Sequence, residues 1–396
     1  MELLKKHTVS ICPKCYEEIP ASVYEDKQMV YMAKNCHKHG EFTFLIEKDA
    51  RLYRRLMNGV ESQDRKPFEN IMIAVTHSCN LDCPVCYLPS RAESELSLQV
   101  LKKTIVGFEG DNVRLSGGEP TLREDLPEII SFILEQGKIP SLTTNGLRFC
   151  NRQYLRRLKD AGLYYVHMSF NGLSDRTYQK INGCRLLNKK LKALRNLKAE
   201  KMNVRTSILL ERGVNDKELT KMYRFCVRNL NFIHSLRIRT VVPSGRHNVF
   251  EQLYLSEILS IFSNAIKVSK DEIIKHSLSN FGGEHLPCSL TIDLGRLLYD
   301  KAEVKGTRNP VVRLVKIALV FLPRVGILIT IGALIRYVLR KKRLIDFIVF
   351  IRVWPHIYSI DLNEIKRCPS AHFVGSTGEV LPFCYAIALN DRKYKL

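Results

Sequence analysis

Acidic side chains are in short supply in this sequence: 40 Asp and Glu stand against 62 Lys and Arg in 396 residues, a formal net charge of +22. Such an excess of cations attracts phosphate, whether on nucleic acid, on lipid head groups or on a small substrate. Met1–Ser10 lacks an apolar core, so no secretory signal peptide is read and a cytoplasmic chain is expected. Internal repeats at solenoid spacing and low-complexity segments are missing as well, which excludes a stacked-repeat architecture. An unbroken membrane span of about twenty apolar residues is also lacking. Ile317–Ile335 comes nearest, with Pro323 and Arg324 at its centre.

What is present is ordinary in bulk, 45% hydrophobic and 26% charged, enough for one large core and a smaller accessory unit. Twelve cysteines in a cytoplasmic chain suggest metal rather than disulfides. Cys79, Cys83 and Cys86 crowd into one loop, Thr76-His-Ser-Cys-Asn-Leu-Asp-Cys-Pro-Val-Cys-Tyr87, behind the apolar run Ile71–Val75, which reads as a buried strand. Three close thiolates suit a 4Fe–4S cluster, which needs four ligands and so keeps one iron open. Zinc would want a fourth protein ligand, and none lies nearby. Further on, Asn112–Pro120 reads as a second strand ending in Gly117-Gly118-Glu119-Pro120. Two glycines let the backbone approach a ligand closely, and a carboxylate beside them can receive an ammonium.

Together these two motifs resemble the signature of the radical S-adenosylmethionine (SAM) superfamily, Cys-x3-Cys-x2-Cys followed by a glycine-rich SAM motif. The resemblance implies that Cys79, Cys83 and Cys86 hold the cluster and that SAM fills the open iron site. It implies that Gly117, Gly118, Glu119 and Pro120 border SAM, with Glu119 on its amine. The expected chemistry is a 5′-deoxyadenosyl radical that removes hydrogen from an unactivated carbon, with the electron supplied by a donor such as ferredoxin or flavodoxin.

The residues between 71 and 245 agree with a partial (βα)6 barrel, an α/β fold. Strands are expected at Ile71–Val75, Val113–Ser116, Pro140–Thr144, Tyr164–Phe170, Val204–Leu210 and Leu236–Val242. Amphipathic runs at Leu122–Gln136, Asn151–Ala161 and Leu187–Lys201 supply helices. In the superfamily the strand ends touch SAM, which carries Asn145, Ser169 and Asn171 over as cofactor contacts. His167 alternates with Ser169 and reads as a core histidine.

Ahead of the barrel, Cys12, Cys15, Cys36 and His39 have structural-metal spacing for zinc or a rubredoxin-like iron, with His37 competing as fourth ligand. Behind it lies a mainly helical C-terminal extension, so the chain divides into 1–60, 61–250 and 251–396. In the extension, Val311–Leu339 is apolar and followed by Arg340-Lys-Lys-Arg343 and a further apolar run, Leu344–Ile351. These are expected as helices lying in a membrane interface, basic residues on anionic head groups; a bundle hooding the barrel mouth is the alternative. Cys288, Cys368 and Cys384 form a candidate auxiliary iron–sulfur site, while Cys150, Cys184 and Cys226 read as packing residues.

More narrowly, Cys12-Pro-Lys-Cys15 and Cys36-His-Lys-His-Gly40 ahead of the core resemble the subgroup of archaeal tetraether lipid synthases and related methylases of a dihydropterin precursor. The similarity runs from about residue 10 to residue 250; the apolar insert and the cysteine-poor tail depart from it. The apolar, basic-flanked segment favours a membrane lipid as substrate, and a peripheral membrane location. A small heterocycle such as a pterin precursor is the alternative. A zinc-knuckle nucleic-acid binder is a third reading, disfavoured because Lys and Arg are spread along the chain rather than gathered in one stripe, so no nucleic acid is expected.

Overall fold

Period-two alternation builds both sheets. The computed structural model describes residues 2–58, 68–88, 95–246, 252–281, 288–304, 306–341, 343–366, 368, 370–374 and 378–393. Lys342 of the basic run Arg340–Arg343 lies outside that set.

The first sheet is antiparallel, in the order β1 (Glu2–Ile11), β2 (Glu18–Asp26), β3 (Met29–Cys36) and β4 (Gly40–Glu47). Its buried face, with Val23, Val30 and Met32, packs on the helix Ala50–Asn58. Its other ties run to the far end of the chain. Thr8 Oγ1 donates to Asp361 at 2.6 Å, Lys5 pairs with Asp361 and Glu364, and Ser10 Oγ donates to the Ile360 carbonyl. Lys34, 2% exposed, donates to the carbonyls of Ile11 and Ile357.

The second sheet has ten strands. All six expected strands form, parallel and side by side in sequence order: β5 (Asn70–Thr76), β6 (Asn112–Gly117), β7 (Ile139–Thr144), β8 (Tyr165–Ser169), β9 (Asn203–Leu210) and β10 (Ile233–Thr240). The extension contributes helices and four further strands that sequence periodicity did not reveal: β11 (Ser289–Asp293), β12 (Ile348–Arg352), β13 (Ser370–Val374) and β14 (Glu379–Pro382). β12 runs parallel beside β10 and β13 parallel beside β5, with antiparallel β11 and β14 outermost. Along the parallel strands one face is aliphatic and buried under helices, as with Ile71, Ile73, Val113, Leu115, Val204, Leu236, Ile238, Val349 and Ile351. The other face is concave and half-buried, as expected of a parallel sheet curled into a partial barrel.

Two expectations for the extension change. The end of the apolar run Leu344–Ile351 is strand β12, because its β-branched residues alternate into the core. Val311–Leu339 is a hairpin of two helices, Pro310–Val325 and Ile327–Val338, broken at Gly326 (φ 84°). Its buried residues, Ile317, Phe321, Val325, Thr330 and Ala333, are few. It packs outside the sheet, where Tyr223 donates to the Arg324 carbonyl and Tyr337 meets Tyr299, and so does not hood the strand ends. No helix among the described residues is long and apolar enough to cross a membrane.

Candidate active site

β5 and β6 deliver the two motifs to one edge of the sheet, and the backbone clamps them together. The Gly118 N–H donates to the Thr76 carbonyl and the Glu119 N–H to the Ser78 carbonyl, each at 2.8 Å. A Cβ on Gly117 (φ 135°) would overlap the Thr76 carbonyl, and one on Gly118 the carbonyls of His77 and Ser78. The glycines therefore let two chain segments touch, a role that precedes any contact with a ligand. Gly245 (φ 61°) does the same from beyond β10: its Cβ would strike the Tyr87 carbonyl, and Arg246 donates from its backbone to Cys86 and pairs with Asp82.

Glu119 is fully buried, and its carboxylate accepts from Thr121 N, Thr121 Oγ1 and Thr144 Oγ1 at one oxygen and from Asn145 N at the other. A carboxylate offers about four acceptor positions, so here Glu119 ties the end of β6 to the end of β7. Asn145 then reaches back, its amide donating to Asn80 Oδ1 in the cysteine loop at 2.7 Å.

The three loop cysteines are partly exposed. Cys79 and Cys83 pack with Leu81, Tyr178 and Leu186 beside Cys184, so that Cys184 borders the loop. Behind Cys83 stands Asn182, whose Nδ2 donates to the sulfur at 3.3 Å; Asn171 Nδ2 donates in turn to Asn182 Oδ1 at 3.1 Å. Asn171 also accepts from Leu209 N and from Asn215 Nδ2, which fixes it between β8 and β9. Ser169 and the Asn145 carbonyl are held from below by Lys190, fully buried, which donates to Asn145 O at 2.6 Å, Ser169 O at 2.8 Å and Ser169 Oγ at 3.0 Å. Burial pushes Lys190 down to about 8. Asn182 and Lys190 escaped sequence reasoning, because each sits in a helix whose polar residues look solvent-facing until tertiary contacts are known.

The concave face below this edge carries Arg114, Arg205, Arg237, Arg239 and Arg352 with His167. His167 is buried as expected, yet among the described residues neither ring nitrogen has a hydrogen-bond partner.

In the first sheet, Cys12, Cys15, Cys36 and His39 place one donor atom each within 4.8 Å of the others, the only such group among the described residues. His39 Nδ1 lies 3.6 Å from Cys12 Sγ and 3.5 Å from Cys36 Sγ. These four atoms suit one tetrahedral ion. A four-iron cluster spreads its ligands more widely than a single ion does, and the loop at Cys79, Cys83 and Cys86 is the donor set that suits it. In the tail, Cys384 is buried and Cys288 and Cys368 are half-buried. Burial, and after it the charge of Cys368, pushes Cys288 up to about 12, and Cys384 is raised by burial and then by Cys368 and Cys288.

Comparison with known proteins follows the same division. Residues 73–226 match the radical SAM superfamily, and residues 4–48 match the HMPTM N-terminal zinc ribbon domain. Among curated relatives, the 7,8-dihydro-6-hydroxymethylpterin dimethyltransferase of Methanocaldococcus jannaschii is 32% identical over 279 residues, 61% of this chain and 54% of the relative. A probable GTP 3′,8-cyclase of Aeropyrum pernix is 29% identical over 221 residues, 52% of this chain and 58% of the relative. The chain thus spans little more than half the length of these relatives. Among solved structures, Streptococcus suis SuiB bound to precursor peptide SuiA aligns with a TM-score of 0.46 at 11% identity, over 96% of this chain and 84% of that one. Residues 73–226 are a radical SAM domain.

Proposed function

We propose that this enzyme removes hydrogen from a carbon of a small polar substrate, a heterocycle in the manner of a pterin precursor, in the course of methylating or otherwise modifying it. The observation that carries the reading is the clamp of the cysteine loop onto Gly117–Glu119 at the rim of a concave face lined by arginines and polar side chains. When bound at Cys79, Cys83 and Cys86, a 4Fe–4S cluster with SAM supplies the 5′-deoxyadenosyl radical. The chain's own residues supply position: Glu119 orders the strand ends, Asn182 holds Cys83, and Lys190 holds the carbonyl of Asn145 and the whole of Ser169. Asn145, Ser169 and Asn171 are the side chains we assign to SAM's edge. Cys12, Cys15, Cys36 and His39 hold zinc, and Cys288, Cys368 and Cys384 are assigned an auxiliary cluster. A basic chain suits an acidic electron donor such as ferredoxin or flavodoxin. The test is 5′-deoxyadenosine release by anaerobically reconstituted protein given SAM and reductant. Release that disappears in Cys83→Ser supports the reading, and none from the wild-type protein defeats it.

A second reading, a membrane lipid as substrate, is favoured by one feature. The helical hairpin leaves Leu319 69% and Leu328 79% exposed, among Arg313, Lys316, Arg336, Arg340 and Lys341. An apolar ridge with a basic fringe suits an anionic lipid surface. The concave face weighs against a hydrocarbon chain inside the barrel, since it would strip water from guanidinium groups and return no hydrogen bond.

A further inference from the structure

Eight parallel strands, β5 to β10 with β12 and β13, contain no Asp or Glu. They contain five arginines, and all five stand on the concave face. Register places them in successive layers: Arg114 beside Ser141, Arg205 beside His167, Arg237 beside Phe350, and Arg239 beside Arg352. The charges that Arg114 and Arg237 feel are those of the other arginines, which with burial push both down. Among the described residues no carboxylate answers them. Aromatic faces hold the guanidinium planes instead: Arg205 lies 5.1 Å from the Tyr165 ring centroid, Arg237 5.2 Å from Phe350, and Arg239 4.6 Å from Trp354. Stacking occupies the flat of a guanidinium and leaves its N–H edge for an oxyanion; only Arg239 of these three spends that edge within the described residues, donating from Nε and Nη2 to Ser207 Oγ. Among the described residues Arg114 Nε and Arg352 Nε lack a hydrogen-bond partner, and His167, 4% exposed, has none at either nitrogen.

Like charges gathered in a half-buried lumen are costly unless something anionic completes them. SAM cannot do so, for its one carboxylate is outweighed by its ammonium and sulfonium. We propose that the floor of the lumen, Arg114, Arg205, Arg237 and His167, binds a phosphate or diphosphate group, and that the substrate is a phosphate ester. Bidentate guanidinium pairing matches phosphate oxygens. Arg114 lies three residues below Gly117 on β6, roughly 10 Å along a strand. A phosphate anchored there leaves room for a ring-sized group whose carbon faces the rim. The identity of the substrate rests on the radical SAM reading; the anion site rests on the strands alone.

The test is isothermal titration of the reconstituted full chain with inorganic phosphate, pyrophosphate, a short-chain phosphatidic acid below its micellar concentration, and succinate. Saturable one-to-one binding of pyrophosphate, weakened about tenfold or more by Arg237→Gln and again by Arg114→Gln, supports the site. Pyrophosphate should also raise the melting temperature of the wild-type protein and leave that of Arg237→Gln unmoved, with zinc content showing that the variant is folded. Phosphatidic acid binding as well as pyrophosphate assigns the phosphate to a lipid; its exclusion assigns it to a soluble ester. Absence of binding, or succinate binding equally well, overturns the proposal. 5′-Deoxyadenosine release is scored separately, so loss of either reading leaves the other standing.

Discussion

The amide of Asn182 donates to Cys83 Sγ at 3.3 Å, and Asn171 holds Asn182 in place from the end of β8. A hydrogen bond to a cluster sulfur stabilises its more negative, reduced state and so raises the reduction potential. Asn182→Leu should therefore make the reconstituted cluster harder to reduce and slow SAM cleavage by about tenfold. An electron-paramagnetic-resonance redox titration checks the direction; an unchanged potential would remove Asn182 from that role.

Glu119 is tested through its four accepted bonds. Glu119→Gln turns one acceptor into a donor facing other donors. We expect a loss of about 2 kcal/mol in urea unfolding, together with loss of SAM binding. A variant as stable as the wild-type protein would mean that the strand ends do not depend on this clamp.

Lys190 predicts a pH dependence. Burial lowers its folded-state value from 10.5 to about 8. Between those values the unfolded chain holds the extra proton, so stability rises with pH across that window. The slope reaches at most about 1.4 kcal/mol per pH unit, and the total is about 3 kcal/mol. Lys190→Met should abolish this rise and, by stranding three acceptors, lower stability at pH 7. Urea melts of both proteins at pH 7 and pH 10 would settle the point.

Removing the metal proposed for Cys12, Cys15, Cys36 and His39 should loosen the far end of the chain. Lys5, Thr8, Ser10 and Lys34 fasten the first sheet to residues 357–364. Structural zinc in small units contributes roughly 10–16 kcal/mol of folding energy, so chelation or Cys36→Ser should expose both partners. Limited proteolysis read by mass spectrometry would then show new cuts near residues 353–366. An unchanged cleavage pattern would show that the sheet stands without its ion.

The hairpin gives the last prediction. Leu319→Lys with Leu328→Lys should change folding stability by no more than about 0.5 kcal/mol, both positions being exposed. The same pair should abolish flotation with anionic vesicles. Wild-type protein that fails to float would end the membrane reading.

The six central strands were legible because buried apolar residues recur at every second position along them, and the donor cluster of the first sheet because Cys12, Cys15, Cys36 and His39 lie close in sequence. β11 to β14 were not, since each is short and the pairings that tie them to the central sheet are distant: Ile73 on β5 pairs with Phe373 on β13. Asn182 and Lys190 were hidden for the same reason, as their partners Cys83 and Asn145 come from other elements. The arginines were visible one by one as basic residues. Only strand register shows that they share a face.

The pairing of β5 with β13 bears on biogenesis. The strand that carries the cysteine loop lacks one neighbour until residues 370–373 have left the ribosome, some three hundred positions later. So non-local a contact slows folding, and cluster loading should follow translation rather than accompany it.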